Sequence, residues 1–244
     1  MPRGCGCGRR PGRTRAAEPT GVTRLLVLTA IDLEARDLAR HLGLAPVSGS
    51  AWPRFAGGAI EVVAVGIGAA HLPARLEGAA PALVVSAGAC GALAPELAVG
   101  ALVVPETVLA PDGRRRATAA AGGLRRHGTL VTTDRVLEDA AAKARLWLSS
   151  GALAVDMESW TILDWAAARG VPGTVVRGVS DPAGRGVPAD LARVIHDGRV
   201  RPMRAVSAVL ARPRALADAM ALRAGTAAAL KTVATALGTL ARSI

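Results

Sequence analysis

The chain has 244 residues, 51% of them hydrophobic, and a mean hydropathy of +0.34. That is enough apolar material for a sizeable core, while no apolar run reaches the ~18 residues that a membrane-spanning helix needs. The net charge is +11, but there is no recognition helix, zinc-finger spacing or aromatic-plus-basic strand face, so nucleic acid is set aside as a partner.

About half of that charge lies in the first stretch, where Arg3, Arg9, Arg10, Arg13, Arg15 and Arg24 stand against Glu18. Rich in Arg, Gly and Pro and without an apolar segment, residues 1–22 read as a disordered basic tail rather than a signal peptide. Cys5 and Cys7 sit in this tail with no second pair to complete a zinc site, and Cys90 lies in an apolar glycine-rich segment. Three such cysteines predict no disulfide framework and no metal centre, and fit a reducing, cytoplasmic compartment.

RLLVLTA (24–30) is an apolar run of strand length. IDLEARDLARHLG follows at helical spacing and stops at Gly43, a predicted C-cap. IEVVAVGIG (60–68) reads as a second strand entering a glycine turn, and HLPARLEGAA (71–80) as weakly helical. ALVVSAGACGAL (82–93) and GALVVPETV (100–108) give two more strands, and residues 111–128 a polar excursion loop. GTLVTTD (128–134) precedes the helical EDAAAKARLWLSSG. ALAVDMES (152–159), the helix WTILDWAAARG and the strand GTVVRGVSD (173–181) complete an alternation that predicts an α/β fold with a largely buried sheet over residues 23–203.

Residues 204–244 read as an amphipathic helical extension. Leu230, Val233, Leu237, Leu240 and Ile244 recur at steps of 3 and 4. Docking of this stripe on the domain, or on a second subunit, is the simpler expectation. The alternative is peripheral contact with the inner face of a membrane.

Acidic residues follow three of the predicted strands: Asp32 and Glu34, Asp156 and Glu158, and Asp181. Open α/β sheets bind ligands at such strand ends. In ALAVDMES, two carboxylates at i and i+2 would share one face if the strand continued, a costly arrangement unless a ligand or partner needs it. The simpler alternative is that one of them opens the next helix.

Taken in order, TAIDLEARDL, VGIG, SAGACGALAPELAVGALVVPE, AVDMES and VVRGVSDPAG resemble the nucleoside phosphorylase/nucleosidase superfamily, which contains purine nucleoside phosphorylases and methylthioadenosine/S-adenosylhomocysteine nucleosidases. GALAVDMES, RGVSDPAGRGVP and the Arg/Ala-rich C-terminal region resemble most closely its hopanoid-biosynthesis-associated members, thought to release adenine from adenosylhopane. The resemblance implies a three-layer α/β/α fold with a central mixed sheet, cleavage of a purine N-glycosidic bond, a homo-oligomer and no metal or organic cofactor. Phosphate stays open as a co-substrate.

By the same resemblance, Asp181 protonates purine N7. For that an aspartate must hold its proton near neutral pH, which calls for a desolvated setting. Glu158 accepts hydrogen bonds from the ribose hydroxyls with Met157 beneath the sugar, Ser180 orients Asp181, and Glu34 with Arg177 positions the attacking water. Gly68 and Gly88, in glycine turns after strands, let a ligand approach the backbone. Residue types speak for a simpler role at Glu34, whose EARDLAR spacing is that of a solvated helix face. Arg177, inside an apolar strand, needs a buried partner.

The chain departs from the family in two places. The positions that hold phosphate in phosphorylases correspond to Ser86 and Ala89, which favours water as nucleophile. Val136 stands where the family often places a ring on the purine, leaving Trp160 or a second subunit as substitutes and favouring a substrate with a large apolar substituent. Two other readings stay open: a nucleosidase for methylthioadenosine, adenosylhomocysteine or futalosine, and a catalytically weak membrane-associated binding protein with the same fold.

Overall fold

The structure, a computed structural model, describes residues 25–76, 80–187, 195–196, 199–200 and 215–243. The basic tail at 1–22 lies outside the described residues. β1 (Leu25–Thr29) leads into α1 (Asp32–Leu42), which ends at Gly43 with φ +67°, the expected left-handed cap. β2 (Ala45–Pro46), β3 (Arg54–Gly57) and β4 (Ile60–Ala64) follow, then the single turn α2 (Leu72–Arg75) and β5 (Leu83–Ala92). β6 (Leu102–Val103), β7 (Thr107–Leu109), β8 (Arg115–Ala117) and β9 (Thr129–Thr132) lead to α3 (Ala140–Ser150) and β10 (Ala154–Asp156). α4 (Ser159–Ala167), β11 (Gly173–Asp181), the separate two-stranded pair β12 (Ile195–His196) and β13 (Arg199–Val200), and α5 (Ala215–Arg242) follow.

Strands β1 to β11 form one mixed sheet in the order β2-β3-β4-β1-β5-β10-β9-β7-β8, with β11 beside β5 and β6 on β11. β1 is wholly buried and supplies both faces: Leu25 and Val27 join α1 and α5, while Leu26 and Leu28 join α2 and α4. Helices therefore cover the sheet on both sides. This is the expected three-layer α/β/α architecture. β5 is central. It runs parallel to β1 and β11, and its last residues pair antiparallel with β10.

Several boundaries differ from the sequence-based expectation. The strand expected at 100–108 is broken into β6 and β7 around Pro105, which has no N–H for the ladder. The excursion at 111–128 contains β8, which pairs antiparallel with β7. A hairpin-like β2–β3 edge, too short to show a period, extends the sheet beyond β4. The helical 71–80 segment is only one turn among the described residues.

The apolar stripe of α5 is docked on the domain. Leu230, Val233, Leu237 and Leu240 are buried in the same cluster as β1, β4, β5 and α1. The helix crosses β11 very closely, because a Cβ at Gly178 would overlap the Ala229 backbone and one at Gly225 would overlap the Ser180 carbonyl. Among the described residues, no helix is long and apolar enough to cross a membrane.

Candidate active site

A cavity of about 420 Å3 opens at the carboxyl ends of β1, β5, β10 and β11, a volume suited to a small ligand. Glu34, Val136, Met157, Glu158, Ser180 and Asp181 all line it. Six of the nine residues expected at the site thus meet around one space. Gly68, Gly88 and Arg177 stand one step behind it.

Asp181 is aimed by a β-bulge. The pairing of β11 with β5 runs in register to Val179–Cys90, skips Ser180, and resumes at Asp181–Gly91. Bulges re-aim side chains in this way and recur beside active sites. Ser180 Oγ lies 2.6 Å from Asp181 Oδ1 and 3.1 Å from the Cys90 carbonyl, so its one proton serves either acceptor. The second oxygen, Oδ2, is ion-paired with Lys143 Nζ. Asp181 is buried, the setting that the resemblance calls for, but it is not alone there. A buried ammonium accompanies it.

The strand β10 ends at Asp156, so the two carboxylates of AVDMES do not alternate along one strand. Asp156 turns inward. Its Oδ1 accepts from Thr132 Oγ1 at 2.8 Å and its Oδ2 from the Ser159 amide at 3.1 Å, at the start of α4. The same Oδ2 lies 2.6 Å from Arg177 Nη2. Glu158 faces the cavity, with the Gly68 amide donating to Oε1 at 3.1 Å and Arg177 3.4 Å from Oε2. Burial pushes the Glu158 carboxyl up to about 7; Arg177 opposes the shift, and the charges of Asp156 and Glu34 add to it.

Arg177 is fully buried, and its partner is Asp156, with Glu158 second. Its Nη2 also donates to Ser86 Oγ at 2.9 Å, and its Nη1 to the Ala89 carbonyl at 3.3 Å. Desolvation works against its charge, but Asp156, Glu158 and Glu34 together hold the guanidinium protonated. It does not line the cavity; it meets Glu158 directly and bears on Glu34 through its charge.

Glu34 is not on a solvated helix face. It is buried, accepting at Oε1 from the Ala89 amide at 2.9 Å and at Oε2 from the Ala30 and Ile31 amides at 3.1 and 3.4 Å. Burial raises its carboxyl above the ordinary range, with Arg177 and these amides opposing. Gly88 makes room for this crossing: its φ is +143°, and a Cβ there would lie 2.8 Å from Glu34 Oε1 and 2.9 Å from Arg177 Nη1.

Trp160 does not serve the cavity. It is buried in the core beneath Arg114 and Arg116, whose guanidiniums lie 5.1 and 5.4 Å from its ring centroid. Among the described residues no aromatic side chain lines the space, whose apolar wall comes from Ile31, Ile67, Val136, Leu137, Val155, Met157, Val187 and Leu222. Cys90 also lines it, and burial drives its thiol up, away from the thiolate.

Sequence reasoning missed Lys143 and the α5 residues Leu222 and Thr226, all in the cavity wall. A signal for Lys143 exists: Leu146 and Trp147, at i+3 and i+4, pack on the core, so Lys143 shares the inward helix face. For α5 there was none, because its contact with the site is made by tertiary crossing alone.

The family model for the phosphorylase superfamily matches residues 24–125 and 118–212, most of the chain. The chain belongs to the phosphorylase superfamily. Among relatives of this superfamily member, futalosine hydrolase from Streptomyces coelicolor is 34% identical over 201 residues, covering 66% of this chain and 84% of that protein. The 5′-methylthioadenosine/S-adenosylhomocysteine nucleosidase of Neisseria meningitidis, solved with methylthio-immucillin-A, has a TM-score of 0.66 at 18% identity, covering 91% of this chain and all of that one. Futalosine hydrolase of Helicobacter pylori gives 0.66 at 17% identity, covering 91% and 99%. At these identities the two structures establish the shared fold.

Proposed function

We propose that this superfamily member is a nucleosidase that cleaves the N-glycosidic bond of a purine nucleoside, with water as the nucleophile. Breaking that bond needs a proton for the leaving base, support for an oxocarbenium-like sugar and a nucleophile at the anomeric carbon. In this reading Asp181 serves N7, Glu158 anchors the ribose diol over Met157, and Glu34 holds the attacking water. One observation carries it: Asp181 and Glu158, from the ends of β11 and β10, line a single nucleoside-sized cavity with Glu34 on its wall.

Water is preferred over phosphate on electrostatic grounds. The Arg177 guanidinium is committed to Asp156 and Glu158, and Ser86 to Arg177 and Ser159. A phosphate dianion would meet Glu34 and Glu158, and among the described residues the buried cations Arg177 and Lys143 are already ion-paired.

The finer reading is release of adenine from adenosylhopane in hopanoid biosynthesis. The aliphatic wall without any ring supports it, since a large apolar substituent supplies affinity by burial at ~25 cal/mol per Å2 where stacking is missing. The Streptomyces relative favours a second reading, hydrolysis of futalosine.

The test incubates the protein with adenosylhopane in detergent, methylthioadenosine, adenosylhomocysteine or futalosine, with and without phosphate, and follows free base and sugar. Base release independent of phosphate and lost in Asp181→Asn supports the reading. Sugar phosphate as product would replace water by phosphate, and equally slow base release by wild type and Asp181→Asn from every nucleoside would return the chain to a binding role.

A further inference from the structure

Lys143 is 1% exposed, and its ammonium meets three acceptors: Asp181 Oδ2, the Pro182 carbonyl at 3.0 Å and the Asp181 carbonyl at 3.4 Å. An ammonium has three hydrogens, so every donor is used inside the protein. α3 does not need this charge for its own ends, because Asp139 already caps its N-terminus and Gly151 its C-terminus. For stability alone, an apolar side chain of similar length would serve as well or better in such a place.

The pair also bears on a shortage in the reaction. Asp181 Oδ2 is ion-paired with Lys143, while Oδ1 faces the Ser180 hydroxyl, whose one proton it shares with the Cys90 carbonyl. A carboxylate so engaged has no proton to give to a leaving purine. The nearest proton is on Nζ. Gly91 leaves the junction of the two groups open to the cavity, since a Cβ there would lie 3.0 Å from Asp181 Oδ2 and 3.2 Å from Lys143 Nζ.

We propose that Lys143 is the proton source for the departing base, acting through Asp181. The inference rests on the reading above that Asp181 serves purine N7. As the C1′–N9 bond breaks, its electron pair goes to the purine and N7 becomes strongly basic. The Nζ–H bond breaks, an O–H bond forms at Asp181 Oδ2 and breaks in turn, and an N–H bond forms at N7. Lys143 is left as a neutral amine and Asp181 as a carboxylate. Water adds its oxygen to C1′ and loses its proton by way of Glu34 to solvent, and Lys143 takes a proton back from solvent when the base leaves. Lys143 is thus a positioning and proton-supplying residue that need not touch substrate.

The experiment compares wild type, Lys143→Met, Lys143→Arg and Asp181→Asn on the best purine nucleoside and on p-nitrophenyl β-D-riboside, whose nitrophenolate departs without a proton. Both Lys143 variants are expected to keep KM for the nucleoside while kcat falls about 10²–10⁴-fold, the usual range for general acid catalysis. On the nitrophenyl riboside the loss shrinks. Arginine does not rescue, because it keeps its charge but does not release a proton. Equal losses on both substrates, or near-normal nucleoside turnover by Lys143→Arg, would overturn the proposal. If Asp181→Asn is unimpaired on nucleosides, the functional reading itself fails. If Asp181→Asn is impaired and the lysine variants are not, this inference alone fails. Should both lysine variants unfold, wild-type kcat in mixtures of H2O and D2O decides: two protons in flight bend the plot, and a straight line would rule the relay out.

Discussion

Asp156 Oδ2 lies 2.6 Å from Arg177 Nη2, with both side chains 1% exposed. This ion pair fixes the floor of the cavity, and Glu158 shares its cation at 3.4 Å. A buried charge that loses its partner is costly, so Asp156→Asn is expected to lower the unfolding free energy by about 3–5 kcal/mol. Urea denaturation measures it. A change near zero would mean that Glu158 alone satisfies Arg177.

The pH dependence of catalysis follows from Glu158, whose carboxyl is pushed up to about 7 by burial. Only the ionised form accepts hydrogen bonds from both ribose hydroxyls. kcat/KM should therefore rise about tenfold per unit as pH approaches 7 from below, then level off. In Glu158→Gln this limb should disappear along with most of the activity.

Stability carries the opposite slope at the same residue. The folded state holds the Glu158 proton more tightly than the unfolded chain, where the ordinary value is 4.5. Its contribution to stability is full below that value and is lost as pH rises through about 7. Thermal melts from pH 4 to pH 8 should show wild type losing ground to Glu158→Gln as the pH increases. A constant difference between the two would argue against a buried, raised carboxyl.

Gly88→Ala places a methyl 2.8 Å from Glu34 Oε1 and 2.9 Å from Arg177 Nη1, at a φ of +143° that side chains rarely adopt. The expected cost is about 1–3 kcal/mol, with Glu34 displaced from the cavity wall and kcat reduced. Melting temperature and turnover measured together check it, and loss of one without the other would separate strain from site geometry.

Val136 lies in the cavity wall where no ring is present. Val136→Phe is expected to tighten adenine binding by about 1–3 kcal/mol through stacking on the base. Competitive inhibition by free adenine is the measurement. Weaker inhibition would put the base elsewhere in the cavity.

Much of the site was legible because its residues sit in short motifs that end buried strands. VVRGVSD and AVDMES each carry an apolar run followed by a charge, a pattern with a plain physical meaning at the mouth of a sheet. The inward turn of Asp156 was less legible, since it depends on Arg177 arriving from β11 and not on the period of β10. Lys143 lay in an alanine-rich helix that reads as solvated unless Leu146 and Trp147 are taken as its inner face. The bulge at Ser180 leaves no mark in the sequence, because it is a register slip between β11 and β5. The β2–β3 edge was too short, and the segment around β8 too polar, to show any periodicity.

The crossing of α5 over β11 has a consequence for assembly. Leu222 and Thr226 wall the cavity, and Gly225 rests on the Ser180 carbonyl beside Asp181, yet these residues lie tens of positions after β11 in the chain. A chain without α5 would lack both that part of the cavity wall and the Leu230, Val233, Leu237 and Leu240 side chains that pack against β1, β4 and β5. Walling the site and completing the core on this side of the sheet are therefore one event, the packing of α5 across β11.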